Sequence, residues 1–230
     1  MQSKLRSPVF VQVELTSKCN NNCIYCYNFW RASDYNYNRK DMSLTELRYV
    51  AEVLGNHDIF WATITGGEPF LRKTELFYFL DCLSKKNIQI MINSNATTLE
   101  EDDVKKLQNY SLNTFLVSLI SYDDQKHDLI SRSPESHKKA IRGLNFLLTY
   151  DIKVAVNMVA TKLNFKDIYK TGKWLYNNFG IKNFSATPLC PSRIEHSQYE
   201  LNSNEILESI TQLISLKNKS ISEVTYACTG

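Results

Sequence analysis

Three cysteines lie within eight residues near the start of the chain, at Cys19, Cys23 and Cys26. A Cys-x3-Cys-x2-Cys spacing lets one short loop wrap three thiolates around an iron–sulfur cubane, and the fourth iron then keeps an open coordination position. A structural zinc site is one alternative, but it needs four ligands, usually as two separated pairs. His57 or Cys82 would have to supply the fourth. Three unligated thiols are the other alternative.

The composition limits the class of protein. The chain has 230 residues, of which 43% are hydrophobic and 22% charged, enough for one substantial domain with a hydrophobic core. Six cysteines in a chain of this length, without a secretion signal, favour metal binding or catalysis over a disulfide framework. The net charge of +3 is spread along the chain, which argues against a nucleic-acid surface. The apolar runs are short, so we expect a soluble cytoplasmic protein with no membrane partner.

A scaffold must hold the cysteine loop in place, and the sequence predicts alternating strands and helices. Val9–Thr16 is predicted as the first strand because Val11, Val13 and Leu15 alternate along it, so the cysteines begin just after its carboxyl end. The other predicted strands are 58–65, 88–93, 112–119, 152–160 and 183–187. The predicted helices are 44–54 (capped by Ser43), 74–86, 100–108, 136–150, 166–178 and 204–216 (capped by Ser203).

Six strands alternating with six helices imply parallel pairing through crossover connections. Six units are two short of a closed eight-unit barrel. We therefore predict an α/β fold, an open partial (β/α)6 barrel of TIM-like type, with a doubly wound sheet as the alternative. Either arrangement places the functional loops at the carboxyl ends of the strands. Residues 1–216 are predicted to form this domain, and residues 217–230 a C-terminal tail.

The cysteine motif with an aromatic residue before its last cysteine, placed after the first strand, resembles the signature of the radical S-adenosylmethionine (SAM) superfamily. The resemblance implies that Cys19, Cys23 and Cys26 bind three irons of a [4Fe–4S] cluster. It also implies that SAM chelates the fourth iron through its amino and carboxylate groups, and that Tyr25 lies near the adenine.

Further loops match this family in order. Gly66-Gly67-Glu68-Pro69 follows the second strand and resembles the GGEP motif, whose backbone groups hydrogen-bond the SAM amino group. The family resemblance therefore makes Gly66, Gly67 and Glu68 cofactor-binding candidates. A bulky residue at Gly67 is expected to weaken SAM binding without removing iron.

The remaining candidates follow the third and fourth strands. Ser94 and Asn95 stand in a loop that resembles the family's Thr-Asn-Gly-Thr loop, with Ala96 in place of glycine. Ser118 matches the strand end whose polar side chains meet the SAM ribose. Arg132 follows a His127-Asp128 pair that resembles the His-Asp-x-x-Arg stretch of peptide-modifying members, with the arginine displaced by one position, and it is a candidate partner for the SAM carboxylate.

The resemblance implies reductive cleavage of SAM to a 5′-deoxyadenosyl radical that abstracts hydrogen from a substrate. The expected substrate is a ribosomally made peptide or a protein, as in the SPASM-type and sulfatase-maturase-like branch, whose auxiliary-cluster extension the segment Tyr226-Ala227-Cys228 resembles. The expected electron donor is a flavodoxin or ferredoxin. The alternatives are a small-molecule substrate from cofactor biosynthesis, or a zinc- or cluster-binding module without turnover.

Overall fold

The strands form one parallel sheet whose order follows the chain from β1 to β7. The structure is a computed structural model that describes residues 7–28, 40–192, 194–217 and 223–226. The strands are β1 (Phe10–Thr16), β2 (Trp61–Gly66), β3 (Gln89–Ser94), β4 (Leu112–Ser118), β5 (Val154–Ala160), β6 (Asn183–Pro188) and β7 (Glu223–Tyr226).

The sheet is open and has no point at which the strand order reverses. Within the described residues β1 pairs only with β2, and β7 pairs only with β6. The predicted open partial barrel is therefore confirmed, and the doubly wound alternative is wrong. The strand β7 is additional to the six predicted. It lies in the segment predicted as a C-terminal tail, whereas Cys228 lies outside the described residues.

Seven α-helices connect the strands in the described part of the chain. They are α1 (Leu44–Asn56), α2 (Lys73–Ser84), α3 (Glu101–Leu107), α4 (Asp124–Ser131), α5 (Ser136–Thr149), α6 (Ile168–Phe179) and α7 (Ser203–Lys217). Ser43 caps α1 as predicted, because its hydroxyl accepts from the Glu46 amide while the Glu46 carboxylate accepts from the Ser43 amide. Asn202, rather than the predicted Ser203, caps α7 through the amides of the two residues that follow Ser203.

Helix α4 was not predicted. Its buried side chains are His127, Ile130 and Ser131, so only one of the three is apolar. Apolar residues at helical spacing are the usual sequence signal for a helix that packs on a sheet, and α4 lacks that signal because it packs largely through polar groups.

The two faces of the sheet differ in character. Alternate strand residues, such as Val13, Leu15 and Ile92, are buried with the helices in one hydrophobic core. The residues between them, such as Glu14 and Asn93, lie on the opposite face, which we call the inner face. The fold therefore presents a polar surface that begins at the same strand ends as the predicted functional loops.

None of the described helices has both the length and the apolar character of a membrane span.

Candidate functional site

The loop that carries the three cysteines is held against the end of α4. The amide of Asn22 donates to the carbonyl oxygen of Ser131 over 3.1 Å, and the amide of Ile24 donates to that of Ile130 over 3.0 Å. All three cysteines are partly exposed. Within the described chain, no group of three His, Cys, Asp or Glu side chains is arranged to bind a single metal ion. An iron–sulfur cubane does not need that arrangement, because each thiolate binds a different iron.

The two glycines after β2 make close backbone contact with the start of the cysteine loop. The Gly67 amide donates to the Thr16 carbonyl over 2.6 Å, and the next amide, that of Glu68, donates to the Lys18 carbonyl over 2.8 Å. A Cβ atom at Gly67 would lie 1.8 Å from the Lys18 carbonyl oxygen, and Gly66 has a φ of +125°. Glycine is therefore required at both positions by this packing.

Glu68 connects the loops that follow β2 and β3. Its side chain is fully buried. One carboxylate oxygen accepts from the Ser94 hydroxyl over 2.8 Å and from the Phe70 amide over 3.1 Å. The other accepts from the Asn95 amide over 2.8 Å. Burial raises the pKa of Glu68 to about 6, although the hydrogen bonds to Asn95, Phe70 and Ser94 act in the opposite direction.

Ser94 and Asn95 make different contacts. The Ser94 hydroxyl is buried. It donates to Glu68 and accepts from the Ala96 amide over 2.8 Å, so it stabilises the conformation of the loop. The Asn95 side chain is partly exposed, and its amide nitrogen lies 3.6 Å from the Cys19 sulfur. Ala96 has a φ of +57°, so the loop keeps the left-handed backbone that the family's glycine favours.

Tyr25 packs against a small apolar cluster formed by Ile24, Ile120 and Ile130. Burial raises the pKa of its phenol well above the usual range, and the neighbouring Cys23, to which its hydroxyl is hydrogen-bonded, raises it further. Cys26 and Cys19 add smaller electrostatic contributions in the same direction.

His127 links the cysteine loop to the loop after β4. The amide of Ile120 donates to His127 Nδ1 over 3.2 Å, and His127 Nε2 lies 3.4 Å from the Ser136 hydroxyl. The same hydroxyl accepts from the Asn21 side chain over 3.1 Å. Burial, and then the adjacent His137, lower the pKa of His127 to about 4. His127 is therefore neutral near pH 7 and holds the loop by hydrogen bonds.

Ser118 lies on the inner face at the end of β4, paired in register with Asn157. The Asn157 side-chain oxygen accepts from the hydroxyls of Ser185 and Thr187 over 2.8 and 2.9 Å. These residues form a polar row across β4, β5 and β6 on the inner face.

Arg132 is exposed and follows the last residue of α4, whose carbonyl binds the cysteine loop. Its backbone φ is +49°, in the left-handed region that residues other than glycine and asparagine seldom adopt. Glycine would adopt this backbone conformation at a lower free-energy cost, yet the residue beside the cysteine loop is an arginine.

Two residues on the opposite side of the loop, Glu14 and Tyr27, were not predicted from the sequence. The Tyr27 hydroxyl donates to a carboxylate oxygen of Glu14 over 3.2 Å, and the Thr65 side chain is hydrogen-bonded to Tyr27. Burial, followed by Glu14, raises the pKa of Tyr27 to about 12. The sequence did contain a signal for Glu14. An acidic residue between the core positions Val13 and Leu15 of a strand is expected on the face opposite the core.

Comparison with known proteins gives consistent matches. A family model described as the radical SAM superfamily matches residues 13–175, more than half of the chain. An uncharacterised protein of Methanocaldococcus jannaschii is 29% identical over 210 residues, which span 87% of this chain and 70% of that protein. A GTP 3′,8-cyclase of Campylobacter jejuni is 30% identical over 157 residues, which span 66% of this chain and 47% of the cyclase.

Among solved structures, Streptococcus suis SuiB bound to its precursor peptide SuiA superposes with a TM-score of 0.76. The sequence identity is 17%, and the match covers 96% of this chain and 49% of SuiB. Similarity at this level of identity concerns the fold alone. The chain spans about half the length of SuiB and of the cyclase.

Proposed function

This chain belongs to the radical SAM superfamily, whose members use a [4Fe–4S] cluster and SAM, and on that premise we propose that it takes hydrogen from a peptide or protein substrate. When bound, the cluster and SAM supply one-electron cleavage of SAM and a hydrogen-abstracting group. The residues of the chain supply ligands, orientation and shielding from water. The close docking of the cysteine loop on the Gly66-Gly67 turn supports the cofactor chemistry, and the carboxylate of Glu14 on the inner face is the observation that carries the choice of a peptide substrate.

The side chains present fit the cluster. Three soft thiolate donors stand on one loop, and thiolates are the usual ligands of iron–sulfur centres. Asn95 adds a side-chain N–H beside the sulfur of Cys19. We propose that Cys19, Cys23 and Cys26 hold the cluster and that Asn95 orients the first of them.

The surroundings of the loop fit SAM, a ligand with an amino group, a carboxylate and a ribose. We propose that the Gly66–Gly67 turn binds the amino group, that Arg132 binds the carboxylate and that Ser118 binds the ribose. Glu68 and Ser94 are positioning residues, because their polar atoms are used within the protein. Tyr25 provides an aromatic surface next to the apolar cluster at Ile120.

Two relatives represent the two substrate classes. The SuiB structure contains a precursor peptide, and the Campylobacter enzyme is a GTP cyclase. The charge of the inner face favours the peptide, because Glu14 places a carboxylate there that would repel the phosphates of a nucleotide. A small-molecule substrate is the second candidate, and the 30% identity to the cyclase is the observation that supports it.

We propose a flavodoxin or ferredoxin as the electron donor. These carriers are acidic, and this chain has a net charge of +3. Opposite net charges speed the encounter of two proteins.

The test begins with anaerobic reconstitution using iron and sulfide, followed by incubation with SAM and dithionite. Candidate peptides deuterated at side chains and α-carbons are then supplied with unlabelled SAM, in parallel with deuterated GTP. Deuterium in the 5′-deoxyadenosine formed from the peptide reaction supports the proposal. Deuterium transfer from GTP alone would establish the small-molecule alternative, and a colourless protein that binds zinc and leaves SAM intact would exclude both.

A further inference from the structure

The inner face carries one acidic side chain that the cofactor site does not use. Glu14 lies between Val13 and Leu15, which are 8% and 1% exposed in the core, and is itself exposed on the other side of β1. The Tyr27 hydroxyl donates to one of its carboxylate oxygens over 3.2 Å. Tyr27 immediately follows Cys26, so this contact fixes the carboxylate next to the cysteine loop.

A second acceptor lies in the same row of the sheet. Glu14 pairs with Thr65, and Ile64 pairs with Ile92, so Thr65 is followed on the next strand by Asn93. The side-chain oxygen of Asn93 is buried and has no hydrogen-bond partner among the residues that the structure describes. A buried acceptor without a partner costs free energy unless a ligand or water satisfies it.

The row therefore presents two acceptor oxygens separated by two strand spacings, which is about 10 Å between α-carbons. Thr65 stands between them and is already bonded to Tyr27. The other inner-face positions of β1 to β6 carry uncharged residues. The chemistry of the row selects a group with several N–H donors and a positive charge.

We propose that Glu14 and Asn93 recognise an ammonium or guanidinium group of the substrate, so that the enzyme prefers a peptide bearing lysine or arginine near its reacting residue. This inference rests on the proposed function and specifies the substrate class of the same site. Glu14 supplies the charge, Asn93 supplies a second acceptor, and Tyr27 holds the carboxylate in place.

The test measures binding to the reconstituted protein in the presence of SAM. The probes are N-acetyl-arginine amide and N-acetyl-lysine amide, with N-acetyl-norleucine amide as the uncharged control and GTP as the anionic one. We expect the cationic probes to bind about tenfold or more tightly than norleucine amide, the range for hydrogen bonds to a charged group. Glu14→Gln should abolish this preference, because it keeps an acceptor for Tyr27 and removes the charge.

Glu52→Gln is the matched control, since it removes the same charge from an exposed residue of α1 that pairs with Lys86. It should leave the preference unchanged. Asn93→Ala is the second variant and should reduce the preference even if Glu14→Gln fails to accept a cluster. Equal binding of norleucine amide, tighter binding of GTP, or an unaltered preference in both inner-face variants would overturn the inference.

The outcome is separable from that of the proposed function. If deuterium is transferred from a peptide but the protein shows no preference for cationic probes, the proposed role of Glu14 is refuted, and the proposal of a peptide substrate is still supported. Failure to cleave SAM, or transfer from GTP only, would remove the proposed function itself.

Discussion

The side-chain nitrogen of Asn95 lies 3.6 Å from the sulfur of Cys19, while the backbone amide of the same asparagine donates to the buried carboxylate of Glu68. The first candidate iron ligand is thus tied through one residue to the loop after β2. The Asn95 side chain also donates to the Asn20 side-chain oxygen over 3.0 Å, which sets the direction of its amide group.

Replacing Asn95 by alanine should lower the reduction potential of the cluster. A hydrogen bond to a ligating sulfur reduces the electron density on that sulfur, so its loss makes the cluster harder to reduce. The measurement is a redox titration followed by electron paramagnetic resonance. Asn20→Ala should lower the potential by less, because it removes the partner that orients the Asn95 amide group but keeps the N–H donor to the sulfur. An identical potential in Asn95→Ala and wild type would contradict the tuning role.

Alanine at Cys19, Cys23 or Cys26 should abolish the iron–sulfur absorption and the cleavage of SAM, because three thiolates are the minimum set for a cluster with one open iron. Cys82→Ala is the matched control, since Cys82 lies in α2 and packs against the core. Iron and sulfide analysis after anaerobic reconstitution gives the readout. Loss of the cluster in Cys82→Ala but not in Cys19→Ala would show that the ligands are misassigned.

Gly67→Ala should reduce iron incorporation as well as SAM binding. The sequence alone predicted an effect on SAM only, but the added Cβ would meet the Lys18 carbonyl oxygen at 1.8 Å and displace the cysteine loop. Gly180→Ala is the control: it has a φ of +66° and no atom within 4 Å of the added Cβ. It should cost about 1 kcal/mol of stability and leave the iron content intact. Full iron loading in Gly67→Ala would contradict the close docking.

Protonation of His127 should destabilise the fold as the pH is lowered from about 6.5 to 4. Its pKa is lowered to about 4 in the folded chain, so the unfolded chain binds more protons in this interval. The contribution is fully present above pH 6.5 and amounts to about 3 kcal/mol. Glu68, with a pKa raised to about 6, acts in the opposite sense, losing stability as the pH rises from 4.5 to 6.

The two effects can be separated with His127→Asn, which keeps an acceptor for the Ile120 amide and cannot be protonated in this range. Denaturant unfolding should show that the stability of the variant falls as the pH rises from 4.5 to 6, because Glu68 then titrates unopposed, whereas in the wild type the two effects oppose each other in this range. Parallel curves would mean that His127 is not the titrating group.

Arg132→Gly should have opposite effects on stability and on cofactor binding. Relief of the left-handed backbone should stabilise the fold by about 1 kcal/mol. Loss of the guanidinium should weaken SAM binding by about 5- to 150-fold if it pairs with the carboxylate. Arg142→Ala, on the exposed face of α5, is the control for charge. Calorimetric titration with SAM and a melting curve give both quantities, and unchanged affinity would leave Arg132 a surface residue.

The sheet and the cysteine loop could be predicted because their signals are local: alternating apolar residues in the strands and a fixed spacing of thiols. Helix α4 could not, because its buried face is polar and is recognisable only when His127 meets Ile120 and Ser136. The contacts of Glu68 could not be predicted from the sequence either, because its partners Ser94 and Asn95 lie at the end of β3 and in the loop after it. Strand β7 is only four residues long, too short for the alternation of its residues to identify a strand.

The hydrogen bond from the Ser192 hydroxyl to the Cys26 carbonyl joins residues that are 166 positions apart in the chain. At translation rates of 5–20 residues per second, about 8 to 33 seconds separate the synthesis of these two residues. During that interval the three thiols emerge first, α4 and α5 are made later, and the loop after β6 is made last. The surroundings of the cysteine loop are therefore complete only after Ser192 has been synthesised, so a nascent chain exposes its thiols after β1 and β2 have been made.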